Sequence, residues 1–213
     1  GYTIEPDWVT LGAGIVYALG TSVRAFTEKG DAMMVMQPVY YPFSEVIKND
    51  GRRLVNCQLR YENNHYSIDF EKMERMILEE GVKALIFCNP HNPVGRVWTR
   101  EEMEKVAEIC LKYNVVWMVD EMHCDFIFPG HEFTSCMNLD KKFHEIIALY
   151  SSPGKTFNVA GLQPANIIIP NEELRKKYQW ANTQAAYSQG SLMGQLAVKV
   201  CYTKGADWVD ELV

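Results

Sequence analysis

Apolar residues in this chain cluster in short strand-like runs at 33–37, 53–59, 83–88, 115–119 and 146–150, most of them bounded by Pro, Gly, Asn or Asp. Runs of that length, alternating with helical patterns, predict strands buried on both faces of a parallel sheet. The clearest helix, 99–113, lies between two of them. Thr99 and Glu102 have capping-box spacing, and Met103, Val106, Ala107, Cys110 and Leu111 repeat at i, i+3, i+4, i+7 and i+8. That stripe must face the sheet, which makes the segment a β-α-β crossover. A second helix, 69–80, places Phe70, Met73 and Ile77 on one face and ends at Gly81, a residue suited to a left-handed cap. A first helix over 14–27 follows the Gly12-Ala13-Gly14 turn, with Ile15, Leu19, Val23 and Phe26 on one side. The predicted fold class is α/β: three layers, α/β/α, around a mostly parallel sheet.

Composition narrows the partners. A hydrophobic content of 47% over 213 residues is enough for a sizeable core. A formal net charge of −6 argues against a general affinity for nucleic acid or an anionic membrane, because both need clustered Lys and Arg. A small molecule is the expected ligand. The cysteines at 57, 88, 110, 124, 136 and 201 lie far apart with no C-x-x-C pair, so reduced thiols in a cytoplasm are expected and a metal site is not. No apolar stretch approaches the roughly 20 residues that span a bilayer, and no signal-peptide pattern opens the chain. Gly1 is not an initiator methionine, and 207–213 read like the opening of a further helix, so a fragment of a longer protein is expected.

In open α/β sheets, ligands bind beyond the carboxyl ends of the strands. The polar residues just after the apolar runs are Tyr40, 89–95, 120–123 and 151–155. Each has an ordinary reading. Asp120 suits a helix cap, Asn92 a turn between two prolines, Tyr40 a core aromatic, and Lys155 a solvated lysine. Gly154-Lys155-Thr156 resembles the end of a P-loop, but that motif needs a glycine where Leu149 stands. Taken together, the residues match pyridoxal 5'-phosphate chemistry. It needs an amine to hold the aldehyde, a carboxylate to keep the ring nitrogen cationic and an amide donor to the phenolate oxygen. It also needs an aromatic ring to stack on the pyridine and a helix N-terminus for the phosphate. Lys155, Asp120, Asn92, Tyr40 and the turn at 12–15 can supply these in that order.

The sequence also resembles the fold-type I aminotransferase superfamily, and within it the cystathionine β-lyase type of C–S lyases. The matching segments are Pro38-Val39-Tyr40-Tyr41-Pro42-Phe43, Asn89-Pro90-His91-Asn92-Pro93-Val94-Gly95-Arg96-Val97-Trp98, Asp120-Glu121-Met122-His123-Cys124-Asp125 and Lys155-Thr156-Phe157-Asn158-Val159-Ala160-Gly161-Leu162. Four motifs in the right order are specific, and the likeness runs from the Ala13-Gly14-Ile15-Val16 turn to a helix beginning near Ser191. It implies that Lys155 is the Schiff-base lysine and proton shuttle, Asp120 the partner of the ring nitrogen, Asn92 the donor to the phenolate oxygen and Tyr40 the stacking ring. Ala13, Gly14, Ile15 and Ser152 would hold the phosphate.

Departures from the wider aminotransferase pattern point to the lyase group. His123 stands where many members carry a tyrosine, and Gln163 where many carry a phosphate-binding arginine; Gly154 replaces the serine common before the lysine. The implied reaction is β-elimination on a small sulfur-containing amino acid, giving pyruvate, ammonia and a thiol. Transamination is the alternative, and a regulatory cofactor-binding protein with vestigial activity is a second. The resemblance further implies that residues 1–213 are a cofactor-binding large domain from a homodimer. The N-terminal segment, the small C-terminal domain with its substrate-carboxylate arginine, and a tyrosine from the partner subunit would all lie outside them.

Overall fold

The computed structural model describes residues 3–187 and 190–213. Seven strands form the main sheet: β1 (Val9–Ala13), β2 (Ala32–Val35), β3 (Arg53–Asn56), β6 (Val82–Cys88), β7 (Val116–Asp120), β8 (Ile147–Ser151) and β9 (Pro164–Ile168), in the spatial order β1-β9-β8-β7-β6-β2-β3. Only β9 runs against the rest, pairing antiparallel with both β1 and β8. The strands β4 (Arg60–Glu62) and β5 (His65–Ser67) form a separate hairpin.

Seven helices accompany the strands among the described residues: α1 (Ile15–Phe26), α2 (Pro42–Asn49), α3 (Phe70–Glu80), α4 (Arg100–Lys112), α5 (Glu172–Gln184), α6 (Leu192–Lys204) and α7 (Ala206–Leu212). Strand residues alternate between two cores, as the period of two requires. Met34, Leu85, Phe87, Trp117, Val119, Ile147 and Leu149 pack with Met73 and Ile77 of α3 and Met103, Val106, Ala107 and Cys110 of α4. On the other face, Met33, Val35, Ile86, Met118, Ala148 and Tyr150 pack with Ile15, Leu19 and Val23 of α1, Phe43 and Ile47 of α2 and Tyr178 of α5. The sheet is therefore covered on both sides, which accounts for its unbroken apolar strands.

Local signals read from the sequence account for the helix ends. Asp69 caps α3 by accepting from the Lys72 amide, and Gly81 closes it in the left-handed region at φ 64°. Thr99 and Glu102 form a reciprocal capping box on α4. The predicted stripe faces the sheet, with Leu111 at its half-buried margin. β1, β9, α2 and α5 have no counterpart in the sequence reading, and the expected strand over 53–59 ends at Asn56. Replacing Thr99 with Ala is expected to cost about 1 kcal/mol, since it leaves the Glu102 amide without its acceptor. A lower urea midpoint with an unchanged denaturant slope is the readout.

Candidate functional site

At the carboxyl ends of the central strands lies a cavity of about 570 Å³. Its lining includes Ala13, Gly14, Ile15, Tyr40, Asn92, Asp120, His123, Ser152 and Lys155, so the fold gathers all nine candidate residues into one hollow. They arrive from five separate segments, Tyr40 from the stretch between β2 and α2. Asp120 is the last residue of β7, and Lys155 lies four residues beyond β8. Asn92 follows β6, and the Ala13-Gly14 step joins β1 to α1. Cys88, Met122 and Gln163 also line the cavity.

Asp120 is the electrostatic focus. Its side chain is buried, and one carboxylate oxygen accepts from the Met122 amide at 3.0 Å. None of the ion pairs among the described residues includes it. Burial without a cation pushes its pKa up to about 7, and the Met122 amide offsets part of this. His123 is shifted the other way: burial, and then the Lys155 charge, hold its imidazole below the usual range. Burial also raises the Tyr40 hydroxyl, aided by the nearby Tyr41 and Asp120. The Tyr40 ring is braced edge-on by Phe43 at 5.8 Å.

Three further residues hold these groups in place. They lie within the polar stretches singled out from the sequence, but no periodicity marks their roles. The Asn89 amide N–H donates to the Asp120 carbonyl at 3.0 Å. The Asn89 side chain meanwhile accepts from the Trp98 amide at 3.1 Å and donates to the Thr134 carbonyl at 3.0 Å. His91 donates from Nε2 to the Pro38 carbonyl at 3.0 Å, tying the Asn92 loop to the segment that carries Tyr40. Burial lowers the His91 pKa to about 4, against the opposing pull of the bond to the Pro38 carbonyl, so the ring is neutral with its proton on Nε2. Glu121 is buried beside Asp120 and accepts from the Ser135 hydroxyl at 2.8 Å and the Cys136 amide at 2.7 Å.

The lysine loop is compact around an exposed side chain. Ser152 Oγ accepts from the Gly154 amide at 3.0 Å and donates to the Pro164 carbonyl at 2.6 Å, so its proton is already used in closing the loop. Gly154 fits this packing: a Cβ there would sit 3.1 Å from Ser152 Oγ and 3.4 Å from Ala160 Cα, tighter than usual contacts. Lys155 is exposed toward the cavity and makes no side-chain hydrogen bond among the described residues. Across the cavity, Gly14 precedes α1 at φ 87° with no side-chain cap, leaving the first amides of a 12-residue helix available to an anion.

Comparisons with known proteins agree with this geometry. A family model described as "Aminotransferase class I and II" matches residues 1–211. Cystathionine beta-lyase PatB of Bacillus subtilis is 38% identical over 213 residues, covering 100% of this chain and 55% of that protein. The crystal structure of cystalysin from Treponema denticola, which contains a pyridoxal 5'-phosphate cofactor, superimposes with a TM-score of 0.96 at 38% identity, covering 99% of this chain and 53% of that one. The PLP-bound C-S lyase from Staphylococcus hominis gives 0.90 at 31% identity, with 99% and 53% covered. The chain thus spans about half the length of the relatives it matches.

A carboxylate whose folded pKa lies above its unfolded value of about 3.9 binds extra protons between the two, so its contribution to stability falls as pH rises through that window. Asp120→Asn is therefore expected to match the unsubstituted, cofactor-free protein near pH 4. At pH 8 it should exceed it by on the order of 2–4 kcal/mol in urea unfolding. An equal difference at both pH values would exclude a buried, unpaired acid.

Proposed function

We propose, from the premise that this chain belongs to the aminotransferase class I and II family, that its cavity binds pyridoxal 5'-phosphate. We further propose that the whole protein is a C–S β-lyase acting on small sulfur-containing amino acids. The observation that carries the cofactor assignment is the Asp120 carboxylate, buried in the cavity wall with an amide partner but no cation. A cationic ring nitrogen is the complement that would restore its charge. The uncapped start of α1 offers a second match, for a phosphate dianion.

In this reading Asp120 holds the ring nitrogen, Asn92 and His123 face the phenolate oxygen, and Tyr40 covers one ring face. The amides at Ala13, Gly14 and Ile15 take the phosphate. Ser152 joins them only by exchanging its bond to the Pro164 carbonyl for one to a phosphate oxygen. Bound pyridoxal phosphate supplies an electron sink for the pair left when a proton leaves the substrate Cα. Lys155 would hold the cofactor through its amine and, as a free amine, would take the Cα proton. Its exposed side chain gives it the freedom to do both. The Cβ–S bond then breaks with its electron pair on sulfur, the thiolate takes up a proton, and the released unsaturated amine hydrolyses to pyruvate and ammonia.

The lyase assignment draws on the names of the similar proteins and on His123 and Gln163 at the positions where the sequence departs from the wider aminotransferase pattern. Both residues line the cavity. We place the reaction in a cytoplasm, which suits six unpaired cysteines, and assign the working form to a homodimer. Leu192, Met193, Leu196 and Val200 of α6 and Trp208 and Leu212 of α7 are exposed apolar side chains that such an assembly would cover.

Two measurements test the reading. Pyridoxal phosphate added to the protein is expected to give a visible absorption band that Lys155→Ala abolishes and that borohydride bleaches while fixing the cofactor covalently onto Lys155. The whole protein fed L-cystathionine or L-cysteine is expected to release pyruvate and thiol. Conversion of an amino acid plus a keto acid, with no pyruvate or thiol from the sulfur substrates, would replace the lyase by an aminotransferase.

A further inference from the structure

We propose that Asp125 is a positioning residue for Lys155, acting through Thr156; the inference rests on the cofactor site proposed above. The lysine loop and the loop carrying Asp120 and His123 leave adjacent parallel strands, β8 and β7, and have to keep a fixed separation if one ring is to meet both. Strand pairing ends at the strand tips: the last link between these two is the Glu121 amide donating to the Tyr150 carbonyl at 2.9 Å. Beyond it, one side-chain hydrogen bond joins the two loops among the described residues. Thr156 Oγ1 donates to Asp125 Oδ2 at 2.7 Å.

Three features make this contact more than a passing surface bond. Thr156 directly follows Lys155 and is only 1% exposed, so its hydroxyl depends on a protein acceptor. Its partner is a carboxylate, which makes the bond short and stronger than a neutral one. Among the described residues the other Asp125 oxygen meets only the Cys124 thiol, at 3.8 Å, a weak donor that leaves Thr156 as the main partner. The loop that carries Asp125 is rooted four residues earlier by Glu121, which accepts from the Ser135 hydroxyl and the Cys136 amide. It is folded by the Cys124 amide donating to the Glu121 carbonyl at 3.1 Å and the Phe126 amide to the His123 carbonyl at 3.0 Å. A shift of the Lys155 backbone away from Asp120 would have to break this link. The Lys155 side chain stays free while its Cα does not.

Thr156→Val removes the hydroxyl at nearly constant shape and Asp125→Ala removes the acceptor, whereas Thr156→Ser and Asp125→Asn keep the bond possible. The first readout is the rate at which the purified chain captures pyridoxal phosphate on Lys155, trapped with borohydride and located by peptide mass. The second is amide hydrogen exchange over 153–160 without cofactor, and urea unfolding reports whether each variant is folded.

Thr156→Val and Asp125→Ala are expected to slow capture about tenfold, the double variant no more than either single, and the two conservative variants to stay within about twofold. Exchange over 153–160 should quicken in the first pair and recover in the second. Capture at the unsubstituted rate in Thr156→Val, or effects of the two singles that multiply in the double variant, would overturn the proposal. If the unsubstituted chain captures no pyridoxal phosphate on Lys155, the functional reading fails by itself. The exchange data then decide the link: a local increase reversed by Thr156→Ser upholds it, and unchanged exchange refutes it.

Discussion

The arrangement depends on placing a carboxylate where no positive charge among the described residues pairs with it. Asp120 ends a strand whose preceding residues, Trp117, Met118 and Val119, are fully buried, so its carboxylate sits at the floor of the cavity rather than at its rim. An isolated charge there is unfavourable, and the rise of its pKa to about 7 expresses that cost. A flat cation would suit such a cavity. In the proposed function Asp120 would hold a cationic ring nitrogen as an ion pair, and such a pair is strongest in a medium poor in water.

Holding that geometry is a problem of loops. Five parallel neighbours, β8-β7-β6-β2-β3, bring their carboxyl ends to one side, but each ladder stops where the functional residues begin. Side chains take over beyond it. Asn89 ties the end of β6 to the Asp120 carbonyl and to Thr134, His91 ties the Asn92 loop to Pro38, and Glu121 ties the residue after Asp120 to Ser135 and Cys136. Each net hydrogen bond is worth only about 1 kcal/mol in stability, yet losing a buried partner leaves a stranded polar atom and costs more. Such links therefore fix positions more effectively than they raise overall stability.

The legibility of the sequence followed the same physics. α4 and α3 were readable because each has an amphipathic stripe and an end signal, the Thr99–Glu102 capping box at the start of one and Gly81 at the end of the other. β6, β7 and β8 were readable because burial on both faces makes them continuous apolar runs. β9 opens on Pro164, a residue tolerated at the first position of a strand but usually a sign of a break, and β1 contains the Gly12-Ala13 pair that reads as a turn. α5 buries only Tyr178, Ala181 and Asn182, too few for a stripe, and α2 has eight residues behind a proline. The cavity residues were legible by chemistry and motif. Asn89, His91 and Glu121 act through backbone atoms of distant residues, and nothing in the spacing of a sequence encodes such a partner.

The contrast between Lys155 and Asp120 matches what the proposed function would ask of each. A carboxylate that fixes the charge of a ring nitrogen works best immobile, so it is buried, bonded to an amide and placed at a strand end. An amine that first holds an aldehyde, then gives way to a substrate and then carries a proton has to swing, and burial of a four-carbon side chain would stop it. The structure separates the two demands by residue: Lys155 is exposed, while Ser152, Pro153, Gly154 and Thr156 around it are buried and bonded or packed. Gly154 fits this division, since a Cβ there would lie 3.1 Å from Ser152 Oγ, the atom that closes the turn from which the lysine projects. Rigidity in the loop and freedom in its one projecting side chain are thus complementary requirements of a single reaction.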